Sequence, residues 1–159
     1  MQILVVYDSV FGNTERIAKA IGEALSTTES VELRRVGEAK PEHLSGLGML
    51  IAGSPTRAFK PTKATTDFLK RIPSNGLRDV KVAAFDTRIS EADINSGLLS
   101  FLVKRFGYAA KPIAEKLEKK GGSLTVPAEG FFVKDTEGPL KDGEIERAAS
   151  WAKKAVRVQ

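Results

Sequence analysis

The 159-residue chain reads as one α/β domain: a three-layer, doubly wound sheet of five parallel strands. Two observations predict this. Apolar strand-like runs alternate with amphipathic helix-like segments over the whole length, and no repeat, low-complexity tract or linker divides residues 1–159.

The elements follow in order. Ile3, Leu4, Val5 and Val6 mark a buried strand over about Gln2 to Tyr7, and Ile17, Ala18, Ile21 and Leu25 recur at helical spacing within a helix from about Thr14 to Ser26. Val31, Leu33 and Val36 suggest a less buried second strand, and His43 falls in a short surface turn after Pro41. A third strand, about Met49 to Gly53, leads through a loop to a helix carrying Ala64, Phe68, Leu69 and Ile72, which Pro73 stops. The fourth strand is expected over Val80 to Phe85, ending in Asp86-Thr87-Arg88. A long helical stretch from Ser96 to Lys120 has two points of interruption, Gly107 and Pro112, and Gly121-Gly122 ends it. A fifth strand begins near Ser123, and Pro127 and Gly130 separate it from Phe131-Phe132-Val133, which reads as an edge strand or an excursion. The last helix, from Asp142 to Val156, buries Ile145, Ala148, Ala149 and Ala152, with Trp151 a further candidate.

Composition narrows the function. A hydrophobic content of 42% supports a real core, while no run approaches the ~18 apolar residues of a membrane span. No basic, apolar leader opens the chain, so a cytoplasmic location is expected. Cysteine is absent, which removes disulfides, iron–sulfur clusters and thiol catalysis together. The single histidine, His43, makes a histidine-based metal site or proton relay unexpected, and neither a catalytic residue nor a metal ligand set is assigned. The net charge of +5 attracts acidic partners and anionic ligands, yet the lysines are spread among glutamates on helix-patterned segments, which describes a solvated surface and not a nucleic-acid interface.

In a doubly wound sheet every strand ends on one edge, where ligands of such folds bind. Three segments meet there: Ser9 to Thr14, Ser54 to Pro61 and Asp86 to Ser90. The first joins a strand to a helix N-terminus, whose free N–H groups and positive dipole end favour an anion. Gly12 permits a left-handed turn, and Ser9, Asn13 and Thr14 either cap the helix or hydrogen-bond phosphate oxygens.

Ser9-Val10-Phe11-Gly12-Asn13-Thr14 resembles the phosphate loop of flavodoxins, Gly53-Ser54-Pro55-Thr56 resembles their second flavin loop, and Phe85-Asp86-Thr87-Arg88 sits where the third falls. The resemblance spans nearly the whole chain. It implies a sheet of order 2-1-3-4-5 that binds FMN, with the phosphate on the first loop and the ring between the other two. On that basis Ser9, Asn13 and Thr14 donate to the phosphate with the amides of Val10, Phe11 and Gly12, while Pro55 and Thr56 face the ribityl and inner ring. Arg57, Ala58 and Phe59 then lie beside the redox edge, and Asp86, Thr87 and Arg88 approach the pyrimidine side.

The chain departs from the flavodoxin pattern in three ways. Phe11 replaces a common hydroxyl residue, and the flanking loops carry no Trp or Tyr to stack on the ring; Phe59 is their one aromatic, a stacking candidate or a loop anchor. No glycine lies between Thr56 and Pro61, so Ala58 is expected to resist the positive φ that a flavin-linked peptide flip needs, to the detriment of one-electron chemistry. Arg57, Lys60 and Lys63 crowd the second loop, where cations favour a reduced, anionic flavin. The resemblance thus implies an FMN-dependent electron carrier in preference to a stand-alone enzyme, which would be an FMN-dependent oxidoreductase; its partners are redox proteins, on which the net charge of +5 favours acidic surfaces. An FMN-dependent NAD(P)H:quinone reductase and a non-redox interaction domain that has lost FMN are the alternatives.

Overall fold

A computed structural model describes all residues, 1–159. Strands β1 (Gln2–Tyr7), β2 (Ser30–Arg35), β3 (Met49–Pro55), β4 (Lys81–Ile89), β5 (Ser123–Leu124) and β6 (Glu129–Val133) form one parallel sheet of order β2-β1-β3-β4-β5, with β6 also on β4. The expected order 2-1-3-4-5 is present, its fifth position shared end to end. β5 pairs with Lys81 and Val82, and β6 with Phe85 to Ile89. Pro127, in the gap between them, lacks the N–H that a continuous ladder needs.

Side chains alternate between the two faces. Ile3, Val5, Tyr7, Met49, Ile51, Ala83 and Phe85 pack under helices α1 (Asn13–Leu25) and α5 (Glu144–Arg157). Leu4, Val6, Leu50, Ala52, Val82 and Ala84 pack under α2 (Lys63–Arg71) and α4 (Ala110–Lys119). On the first face Phe85, Phe131 and Trp151 meet edge to face, with ring centroids 6.0–6.1 Å apart, a geometry suited to aromatic quadrupoles. Gly53 lies directly beside this cluster. A β-carbon there would run into the Phe85 ring, so the sequence keeps glycine in the middle of a buried strand.

Two local expectations change, the end of β4 and the break at Pro112, while the interruption at Gly107 and the short turn after Pro41 are present. β4 continues to Ile89, four residues past Phe85, because β6 supplies a ladder partner for that extension; Asp86, Thr87 and Arg88 are therefore strand residues and not a loop. The long helical stretch is two helices, α3 (Gly97–Phe106) and α4, broken at Gly107, whose φ is +75°. Pro112 causes no break, since it occupies the first turn of α4, where its missing N–H has no intrahelical role. The connection from β2 to β3 contains only a 3₁₀ turn, Pro41–Leu44, in which His43 Nδ1 accepts from the Lys40 N–H at 2.9 Å.

α5 is fastened to the sheet at its first residue. Glu144 accepts hydrogen bonds from the Phe132 N–H (2.7 Å) and from Arg147 Nε and Nη2 (2.9 and 2.7 Å). Burial pushes the Glu144 carboxyl up, but these donors and the Arg147 charge outweigh it and hold the group below the ordinary range. A carboxylate with a lowered folded pKa stabilises the fold above the unfolded value, and that contribution disappears as pH falls through the folded one. Glu144→Gln is therefore expected to cost about 1–2 kcal/mol at neutral pH, reduced by the partial exposure of Arg147. The difference from wild type should close as the pH falls below the ordinary glutamate range and through the lowered folded value. Urea titrations of both proteins at neutral and acid pH check this; a gap that persists in acid refutes it.

Candidate functional site

The C-terminal ends of β1, β3, β4 and β6 surround a cleft of about 320 Å³. Its first wall is the turn from Ser9 to Thr14. Gly12 takes φ +93° at the N-cap of α1, a left-handed conformation that strains any residue with a β-carbon. Ser9 Oγ accepts from the N–H groups of Gly12 (3.1 Å) and Glu15 (3.3 Å), and so does serve as a helix cap. Its hydroxyl hydrogen is left free to donate. The N–H groups of Val10, Phe11, Asn13 and Thr14 donate to no acceptor in the protein. Four unpaired amides at the N-terminus of a 13-residue helix form an anion cradle that needs no lysine.

Side chains brace this cradle from behind. Arg35 Nη1 donates to the Ser9 carbonyl at 3.3 Å and lies 3.8 Å from Asp8. Asn13 Nδ2 donates to the Glu137 carbonyl at 3.1 Å, which draws the loop after β6 over the cleft. Thr14 and Thr87 share a buried hydroxyl–hydroxyl hydrogen bond of 2.8 Å. Thr87 thus stands at the cradle end, not on the far side that the resemblance implied for it.

The second wall is built on a hairpin turn. Arg57 and Lys60 exchange both backbone hydrogen bonds (2.8 and 3.0 Å), while Ala58 and Phe59 between them take φ +46° and +69°. Positive φ at both central residues is the geometry of a type I′ turn. The expectation that Ala58 avoids positive φ is overturned: the two exchanged hydrogen bonds hold it there despite its β-carbon. Pro55, Thr56, Arg57 and Ala58 line the cleft, but Phe59 does not; its ring packs against Phe106 on the outer side, 5.9 Å between centroids. The Arg57 guanidinium lies 5.5 Å from the centroid of the Phe11 ring and so bridges the first and second walls. Lys63 is neutralised by Asp67 at 2.7 Å, which leaves Arg57 and Lys60 as the free cations of this loop.

The third expected segment divides. Thr87 and Arg88 reach the cleft, whereas Asp86 is fully buried beneath it, 0% exposed. The Asp86 carboxylate receives Arg88 Nε and Nη2 side by side (2.6 and 2.7 Å) and the Ala110 N–H (2.8 Å). Thr56 Oγ1 accepts the neighbouring Ala109 N–H at 3.1 Å. α4 has no side-chain cap of its own, so Asp86 and Thr56 cap it from the sheet, the former placing negative charge at the positive end of the helix. Burial pushes the Asp86 carboxyl above its ordinary range, against the downward pull of Arg88 and Ala110. Arg88 in turn lies 3.9 Å from the Tyr108 ring centroid, and Tyr108 donates to the Ile89 carbonyl at 3.2 Å. The role expected for Asp86, approach to a bound ring, gives way to holding Arg88 and α4 in place.

Sequence reasoning puts Ile89 in the third segment without a role and misses Val133 and Thr136 as cleft residues. The signal was present: the loop after the fifth strand must end on the same edge as the others, and it is polar from Lys134 to Thr136. No cluster of three or more potential metal ligands occurs.

The chain resembles known proteins along its whole length. The family described as Flavodoxin matches residues 5–151. Among solved structures, a flavodoxin from the domain Archaea is 22% identical, with TM-score 0.73 and 99% of each chain covered. Oxidised Flavodoxin 1 from Bacillus cereus is 18% identical, with TM-score 0.79 and coverage of 100% of this chain and 99% of that one. Rubredoxin oxygen:oxidoreductase from Desulfovibrio gigas is 22% identical with TM-score 0.73; 98% of this chain corresponds to 35% of that one. No curated protein sequence matches the chain.

Proposed function

The chain belongs to the flavodoxin family, and from that membership we propose that it binds FMN non-covalently in the cleft and works as an electron carrier. The observation that carries this reading is the set of four unpaired amides at Val10, Phe11, Asn13 and Thr14, a cradle fitted to a phosphate group. When bound, FMN supplies the reversible redox chemistry.

The protein's residues bind and orient. The cradle and the Ser9 hydroxyl take the phosphate, and Pro55, Thr56 and Ile89 form the walls toward the ring end. Arg57 gives that end positive charge, Arg88 being neutralised by Asp86, and a cation there favours electron uptake by a group that becomes anionic. The ring end has no Trp or Tyr in its lining, since Tyr108 is engaged by Arg88 and Phe59 faces outward. Affinity therefore rests on the phosphate more than on stacking.

That division sets the test. FMN titrated into flavin-free protein is expected to bind with quenched fluorescence and a shifted visible spectrum, and riboflavin, which lacks the phosphate, to bind at least ~100-fold more weakly. Equal affinity for the two flavins would contradict the cradle's role. Absence of FMN binding would leave the fold as a non-redox interaction domain.

A further inference from the structure

The hairpin turn at 57–60 has a second side. Opposite the cleft it borders a separate groove of about 630 Å³ that runs between the turn, α2 and α4, with Ala58 facing both hollows. Phe59, Pro61, Leu69, Phe106 and Pro112 give it apolar walls. The paired rings of Phe59 and Phe106 stand at one end, tilted by 37°.

The charged groups of the groove are both cations, Lys60 and Lys116, and no acidic side chain lines it. Neither lysine has a carboxylate within 4.0 Å, whereas its neighbours are paired: Lys63 with Asp67 at 2.7 Å and Lys104 with Glu91 at 3.4 Å. An apolar hollow of this size with a few convergent polar groups has the make-up of a small-molecule site. Two unneutralised ammonium groups on its rim select an anion, and a wall of phenyl and proline surface selects a flat apolar body.

We propose that this groove binds an aromatic carboxylate, its ring system laid against the apolar wall that ends in the paired rings of Phe59 and Phe106, its carboxylate toward Lys60 and Lys116. A second copy of the chain suits the groove less, because it would bring the same free cations and a net charge of +5 against them. The proposal does not depend on FMN, since the two hollows lie on opposite sides of the turn.

The test uses the full chain without flavin and 2-naphthoate as the probe. Calorimetric titration is expected to show saturable binding with a dissociation constant below about 1 mM. Amide NMR shifts should centre on Phe59, Phe106 and Lys116. Lys60→Glu and Lys116→Glu should each weaken binding at least tenfold with unchanged thermal midpoints, since both side chains reach solvent; Phe106→Ala should weaken it too. The uncharged 2-naphthamide should bind at least tenfold more weakly than 2-naphthoate. No saturation, equal affinity for the amide, unchanged affinity in both charge-reversal variants, or shifts centred on Ser9 to Thr14 would each overturn the assignment. So would concentration-dependent dimerisation abolished by Phe106→Ala, which would give the groove to a second copy. FMN titration of Lys116→Glu keeps this outcome separate from the cofactor reading, for Lys116 lies outside the cleft.

Discussion

Asp86→Ala is expected to lose about 3–5 kcal/mol of stability, a fall of roughly 10 °C in the thermal midpoint for a domain of this size. The substitution leaves the Arg88 guanidinium, mostly buried against Tyr108, without its carboxylate, and removes the acceptor of the Ala110 N–H at the start of α4. Most of the cost lies in that uncompensated charge and not in any large net worth of the pair. Asp86→Leu combined with Arg88→Met should therefore recover a good part of it, since a well-packed apolar replacement of a buried ion pair is often close to neutral. Thermal and urea denaturation of wild type and the two variants measure the difference. A single variant within 1 kcal/mol of wild type would show that Arg88 finds solvent easily and that α4 needs no cap from the sheet.

Trp151→Ala should destabilise by a similar amount, about 3–5 kcal/mol, because the indole fills the space between Phe85 and Phe131 on the α1/α5 face and a truncation there leaves a cavity walled by rigid rings. Trp151→Phe tells more. The indole N–H is buried with no hydrogen-bond acceptor, so phenylalanine removes an unsatisfied donor along with part of the ring. The two effects oppose each other, and the expected loss is only about 1 kcal/mol. Chemical denaturation with the linear extrapolation decides it. A Phe variant as damaged as the Ala variant would mean that the indole's shape, and not its apolar bulk, is what the cluster needs.

The features legible in the sequence were those written in periodicity. Ile3 to Val6 and Met49 to Gly53 are buried strands, and Ile17, Ala18, Ile21 and Leu25 lie on the inner face of α1 as their spacing required. Gly12 at an αL N-cap was legible for the same kind of reason, since few residues other than glycine serve a tight strand-to-helix turn. What the sequence hid depends on contacts between distant segments. β4 runs on to Ile89 because β6, some 44 residues later in register, gives it a partner; Phe85 alone carries no sign of this. The resemblance makes Asp86 a site candidate by its position in the third loop alone; its partners, Arg88 folding back two residues on and an amide 24 residues away, make it an internal cap. Ala58 and Phe59 hold positive φ because Arg57 and Lys60 close a hairpin around them, and intrinsic preference yields to that pair of hydrogen bonds.

The fifth strand, in two pieces, also bears on what the fold can absorb. β5 and β6 each hold their own stretch of β4, and only Thr125 to Ala128 lies between them. Because neither ladder depends on the other's continuity, chain added at that gap has only a longer loop to close. Ten extra residues there cost about 1 kcal/mol of closure entropy, small beside the stability of an ordinary domain. The edge of the sheet that looks most broken is therefore the place where the architecture is most open to growth: a whole new surface element could be spliced in beside β4 while the cleft, the groove and both layers of helices keep their positions.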